Sequence, residues 1–154
     1  MNDLDICAAQ FCSAAGGLKA NIARRIQLME LAAKQRVNFL LFPELSLTGY
    51  EPSLAGELAQ TPDAEILQPL RELAKHLAMT TVVGLPLRQA GSEAIMIGAL
   101  VFAADGSQAT YTKQHLHSGE EAVFTPGDGG ALLGIGSEHV ALSICADFTH
   151  QSHV

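Results

Sequence analysis

The chain has 154 residues, 48% of them hydrophobic, and a formal net charge of −7 at neutral pH. At this length about 68–70% of the unfolded chain's surface can be buried, so one domain with a true core is expected over 1–154. The scattered Lys and Arg make no basic patch for a phosphate backbone and no apolar run reaches the roughly 18–20 residues of a membrane span, which argues against nucleic-acid and membrane partners. The start MNDLD shows no secretory pattern, so the cytoplasm is the expected compartment. Cys7, Cys12 and Cys145 are odd in number and lack C-x-x-C spacing, which suits reduced thiols better than a disulfide framework or a zinc knuckle.

The segment LDICAAQFC (4–12) is short, apolar and followed by small residues, as expected of a buried strand with Cys7 and Cys12 on opposite faces. From 18 to about 36, Leu18, Ile22, Ile26, Met29 and Ala33 recur at helical spacing while Lys19, Arg24, Gln27 and Lys34 lie elsewhere on the wheel. This predicts an amphipathic helix packed on a sheet. NFLLF (38–42) is a second apolar strand stopped by Pro43, which places Glu44 at a strand's carboxyl end. Thr61-Pro62-Asp63 reads as a cap, a first-turn proline and an acidic first turn, opening a helix with Ile66, Leu70, Leu73 and Leu77 on its apolar stripe and an end near Met79. Strands over 81–85, 94–102 and 108–112 follow, the last two joined as a hairpin through Ala104-Asp105-Gly106-Ser107. Two more strands, 131–135 and 139–144, complete the list, the second delivering Cys145 at its end. Strand–helix alternation followed by a run of strands gives an α/β or α+β class with a layered sheet.

Three strand ends then carry chemistry. Glu44 follows an apolar strand at the edge where α/β sheets place their sites, and such a carboxylate can serve as a general base. Cys145 sits at a strand-to-loop junction where a thiol is exposed and the next backbone N–H can point at a developing oxyanion. Lys113 leaves a strand with an ammonium able to lower a thiol's pKa or to hold a charged intermediate. Taken singly, a surface glutamate, a buried structural cysteine and a solvated lysine are the simpler readings; base, cation and thiol together are poorly explained that way. Asp147 is read as a plain turn aspartate, with orientation of the loop as the alternative.

FPELSLTGY (42–50), YTKQHL (111–116) with GEEAVFTPGD after it (119–128), and SICAD (143–147) resemble, in order and spacing, the three consecutive motifs of the nitrilase, or carbon–nitrogen hydrolase, superfamily. The resemblance spans nearly the whole chain. It implies an α-β-β-α sandwich, here partial, with a layered mixed sheet and helices on one face. It also implies hydrolysis of a non-peptide C–N bond in a small-molecule amide, ω-amide or N-carbamoyl compound, in preference to a nitrile, with no cofactor and no metal. By the same resemblance Glu44 is the base, Cys145 the nucleophile that forms a thioester, and Lys113 with the Ala146 backbone N–H the oxyanion site. A second family glutamate matches Glu120, with Glu121 as competitor, and Tyr50 closes the first motif among the substrate-positioning residues. Family members are commonly dimers or larger, which implies a homo-oligomer.

Two departures stand out. Relatives continue well past the nucleophile, so the chain reads as truncated at its C-terminus, and an uncovered apolar sheet face with self-association or a complementing partner is expected. Relatives also often carry an Asn before the strand at 94–100, a segment that is apolar throughout here. Two further readings compete. An inactive or partner-dependent hydrolase half would act as an interaction module. A metal site from His115, His117, His150 and His153 needs three or four groups to converge, and their spacing lacks the tightness of established motifs.

Overall fold

The computed structural model describes residues 4–89 and 91–153, the last without its side chain. Met1 to Asp3, on which part of the leader-free reading rests, lie outside the described residues. A five-stranded sheet in the order β1 (Ile6–Ala8), β2 (Phe39–Leu41), β3 (Thr80–Arg88), β4 (Ile95–Phe102) and β5 (Gln108–Thr112) forms the frame. The first three strands pair in parallel and the last two antiparallel, so the class is mixed α/β as expected. β3 is buried from Thr80 to Leu87, as befits a strand covered on both faces. The apolar stretch at 94–100 is the start of β4, which lies between two partners and is buried over most of its length.

β1 is far shorter than the 4–12 segment that predicted it. Its partner β2 ends at Leu41 before Pro43, and the last bond across the pair is Ala9 N–H to the Leu41 carbonyl at 2.9 Å. Cys12 therefore lies beyond the strand, exposed, and the opposite-face reading with Cys7 does not apply. Helix α1 (Leu18–Lys34) buries Asn21, Ile22, Arg25, Met29 and Ala32; the expected stripe does face the core, with Leu18 and Ile26 packed against it, and is extended on one side by two polar residues that point inward. The second crossover begins its helix later than Thr61-Pro62-Asp63 suggests. A short α2 (Ala55–Leu58) precedes it, a 3-10 turn covers Glu65–Leu67, and α3 runs over Gln68–His76. Pro69 is the reason: it lacks an N–H and is tolerated only in a helix's first turn, which fixes the start at Gln68.

Both long helices stop in the same way. At α3, Met79 N–H reaches the Ala74 carbonyl and Ala78 N–H the Lys75 carbonyl, with Ala78 at φ +50°; at α1, Val37 and Arg36 make the equivalent bonds and Arg36 sits at φ +61°. Neither left-handed position is a glycine. Ala78 is exposed, so Ala78→Gly is expected to raise stability by about 0.5–1 kcal/mol, read as a shift in the urea midpoint.

The helices cover one face of the sheet over a core that includes Met29, Leu40, Leu70, Val83 and Phe102. The other face gathers Phe39, Val82, Val101, Tyr111, Phe124 and Ile144, against which Leu133, Ile135, Val140 and Leu142 pack in part. The expected strand at 139–144 is shorter: β6 (Leu133–Ile135) and β7 (Glu138–Val140) form a separate two-stranded hairpin. Ile144 N–H bonds the Asp147 carboxylate instead of a neighbouring strand, so Cys145 opens a 3-10 turn, Cys145–Thr149. No helix among the described residues is long and apolar enough to cross a membrane.

Candidate active site

Glu44 stands on a turn that leaves β2 and leans on β3. Phe42 N–H bonds the Val82 carbonyl and Leu47 N–H the Gly84 carbonyl, both at 2.9 Å, and Leu45 adopts φ +50° to bring the chain round. This closeness requires Gly84, since a Cβ there would meet Leu45 N and the Pro43 carbonyl at 2.6 Å. The Glu44 side chain is 21% exposed and turned toward the end of β5.

There the Lys113 side chain is fully buried, unlike the free ammonium its sequence position suggests. Its Nζ donates to Glu44 Oε1 at 2.7 Å and to both oxygens of Glu120, at 2.9 and 3.1 Å. Burial alone would lower the Lys113 pKa, but the hydrogen bonds to Glu44 and Glu120 and their charges outweigh it and hold the ammonium above the usual lysine value. Glu120 is nearly buried as well; burial pushes its carboxyl up, while bonds from Lys113, the His117 N–H and the Tyr50 hydroxyl bring it below the ordinary carboxylate range. The structure thus brings Glu120 to Lys113 and leaves Glu121 exposed, its carboxylate accepting Gly119 N–H at 2.7 Å. Tyr50 keeps an exposed ring and donates its hydroxyl to Glu120 at 2.8 Å, with its pKa pushed up to about 12 by desolvation and by that bond.

Cys145 is exposed and its φ is +48°, a left-handed conformation that costs free energy for a non-glycine residue and is held by the surrounding fold. With Glu44 it borders a cavity of about 150 Å³ whose floor includes Val82, Ala99 and Leu142. Ala146, half-buried, is the next residue of the turn.

Asp147 does more than a turn aspartate. It is fully buried and accepts from Tyr111 Oη at 2.6 Å, Gln114 N–H at 3.0 Å, His115 N–H at 2.7 Å and Ile144 N–H at 3.2 Å. Burial would raise its pKa, but the bonds from Tyr111 and the backbone win and hold it low. One carboxylate therefore ties the segment after Lys113 to the residue before Cys145. The sequence carries a hint of this, since Tyr111 and Lys113 are two apart near the end of a strand and share a face.

Among the described side chains, His115, His117 and His150 do not converge as a metal set, and the His153 side chain lies outside the description. His115 and His150 stack with ring centroids 3.9 Å apart, Ser152 Oγ lies 3.1 Å from His115 Nε2, and the His117 ring meets the Ser118 carbonyl. Among the described residues no group of three or more His, Cys, Asp and Glu is placed to hold a metal ion.

The carbon-nitrogen hydrolase family profile matches residues 6–151. A protein from Pyrococcus abyssi named nitrilase is 27% identical over 133 residues, 83% of this chain and 50% of that one. The crystal structure of an amidase from Nesterenkonia sp. superposes with a TM-score of 0.83 at 25% identity, covering 96% of this chain and 57% of that one. A cysteine-to-alanine mutant of the Nesterenkonia sp. AN1 amidase in complex with butyramide matches with a TM-score of 0.84 at 25% identity, over 96% and 58% of the two chains. The chain thus spans about half the length of the curated relative, and somewhat more of these structures.

Proposed function

Because the chain belongs to the carbon-nitrogen hydrolase family, we propose that Cys145, Glu44 and Lys113 hydrolyse the C–N bond of a small-molecule amide through a thioester. The observation that carries this reading is the fully buried Lys113 ammonium, 2.7 Å from a Glu44 carboxylate that borders the same cavity as Cys145. Glu44 takes the thiol proton as Sγ attacks the carbonyl carbon. The oxyanion that forms is held by Lys113 Nζ, which Glu44 and Glu120 keep in place, and by the Ala146 N–H. The C–N bond then breaks as Glu44 returns the proton to the departing nitrogen, leaving an acyl group on Cys145. Glu44 next deprotonates a water that attacks the thioester, and the acid leaves with the thiol restored. Glu120, anchored by Tyr50 and His117 N–H, keeps Lys113 aimed. Ala99 and Leu142 in the cavity suit a short apolar acyl chain, so an aliphatic amide is favoured over an ω-amide or N-carbamoyl substrate, and these over a nitrile.

Limiting iodoacetamide, read by peptide mass across about pH 5–9, is expected to label Cys145 well ahead of Cys7 and of Cys12, which is also exposed. Glu44→Gln is expected to slow that labelling and to cut ammonia release from aliphatic amides by about 10²–10⁴-fold, the usual worth of a general base. Equal labelling of the three thiols, unmoved by Glu44→Gln, would instead favour a non-catalytic interaction module.

A further inference from the structure

Helix α1 buries two polar side chains one turn apart, Asn21 and Arg25, and both point at the Glu44 turn. Asn21 Nδ2 donates to the Leu47 carbonyl at 3.0 Å and to the Ala14 carbonyl at 2.8 Å, while its Oδ1 accepts Ala14 N–H. Arg25 Nη2 donates to the Ser46 carbonyl and, at 2.8 Å, to Ser13 Oγ, which itself donates to that same carbonyl; Nη1 reaches the Asn21 carbonyl at 3.3 Å. Ser46 and Leu47 follow Glu44 by two and three residues. The turn is therefore gripped from α1 on one side and rests on Gly84 of β3 on the other.

Arg25 is an odd choice for a merely structural role. It is fully buried, its Nε has no hydrogen-bond partner, and among the described residues it is in no ion pair. Its guanidinium lies 3.5 Å from the centroid of the Phe11 ring and 5.7 Å from that of Phe42, which compensates only part of the lost hydration. Burial, with a lesser push from Arg24, lowers its pKa to about 10, so it is still a cation at neutral pH. A buried cation without an anion opposes folding, and an unbranched apolar side chain would suit the surrounding core better.

We propose that Arg25 is a positioning residue that sets the reach of Glu44 by holding the Ser46 carbonyl, and that it does so at the expense of stability. This rests on the assignment of Glu44 as base for Cys145. The test is a double-mutant cycle of Arg25→Met with Glu44→Gln, read by the iodoacetamide rate at Cys145 and by the melting temperature. Arg25→Met is expected to slow labelling at least about 10-fold, as a misplaced catalytic group does, with melting unchanged or raised. In the Glu44→Gln background the same change is expected to alter the rate less than about 2-fold, and Arg25→Lys to recover part of the wild-type rate. Equal slowing in both backgrounds, or an unchanged rate with lowered melting, overturns the proposal. If Glu44→Gln alone leaves Cys145 reactivity unchanged, the function reading fails and this proposal with it; if Glu44→Gln slows labelling and Arg25→Met does not, only the role of Arg25 fails. Should Arg25→Met not fold, the stability half of the proposal is overturned, and Arg25→Gln, neutral and too short to reach Ser46, tests the positioning half in the same cycle by the labelling rate.

Discussion

Lys113→Met is expected to lower folding stability by about 3–5 kcal/mol and amide turnover by at least about 10²–10³-fold. The stability loss follows from what stays behind. Glu120 is 3% exposed and would be left buried with no cation beside it, to stay charged or take up a proton at a cost either way, whereas Glu44, at 21%, can turn to water. Urea unfolding checks the first effect, and Lys113→Met with Glu120→Gln is expected to regain part of the loss because the stranded charge is gone. The rate loss has a separate origin, a missing donor at the oxyanion, so it persists in the double mutant. A double mutant that recovered both would show that Lys113 acts only through the fold.

Asp147→Ala removes the common acceptor of Tyr111 Oη and of the N–H groups of Gln114, His115 and Ile144. Leaving buried donors without partners is expected to cost about 3 kcal/mol, and release of the Cys145 turn about 10²-fold in rate. Asp147→Asn keeps the size but presents an amide group to donors, so its losses are smaller and of the same kind. The pH dependence has a definite sign. Asp147 and Glu120 are both held below the ordinary carboxylate range, so the unfolded chain binds more protons than the folded one as the pH falls. Their contribution is complete above about pH 5, where an unfolded carboxyl is ionised, and is lost progressively as pH falls below that and through their lowered folded values. Urea unfolding from about pH 6 to 2 is expected to show this loss in the wild type and a flatter profile in Asp147→Asn. Equal slopes would exclude Asp147 as a source of the acid sensitivity.

Much of the frame was legible because it rests on local rules. The apolar runs at 38–42 and 81–85 and the hairpin around Asp105-Gly106 lie in strands or strand pairs of the sheet, and Pro43 marks where the Glu44 turn departs. Boundaries failed where a tertiary partner decided them. β1 is cut short by the length of β2, and the strand expected at 139–144 yields to the Asp147 carboxylate; α3 starts at Gln68 rather than at Thr61 because Pro69 must lie in its first turn. The candidate site was readable as residue types near three strand ends, helped by three motifs in order. Its supports were not. Arg25 and Asn21 lie beside the apolar stripe, where periodicity counts them as surface, and Asp147 looks like any aspartate in a turn until Tyr111 is placed against it. The resemblance already preferred Glu120 to Glu121, but its contact with Lys113 and the exposure of Glu121 needed the geometry.

The bond between Lys113 and Glu44 joins residues 69 apart in the chain, and the bond between Tyr111 and Asp147 residues 36 apart. Closing loops of this length costs configurational entropy that is repaid only when the contacts at their ends form, and parallel pairing of β1, β2 and β3 imposes long closures of its own. The helices and the β4–β5 hairpin can form from nearby residues, but base, cation and thiol meet only when the chain has threaded its last segment back across the sheet. Under the proposed function, activation of Cys145 thus depends on both closures, and a chain that has not made them holds neither base nor cation beside its thiol.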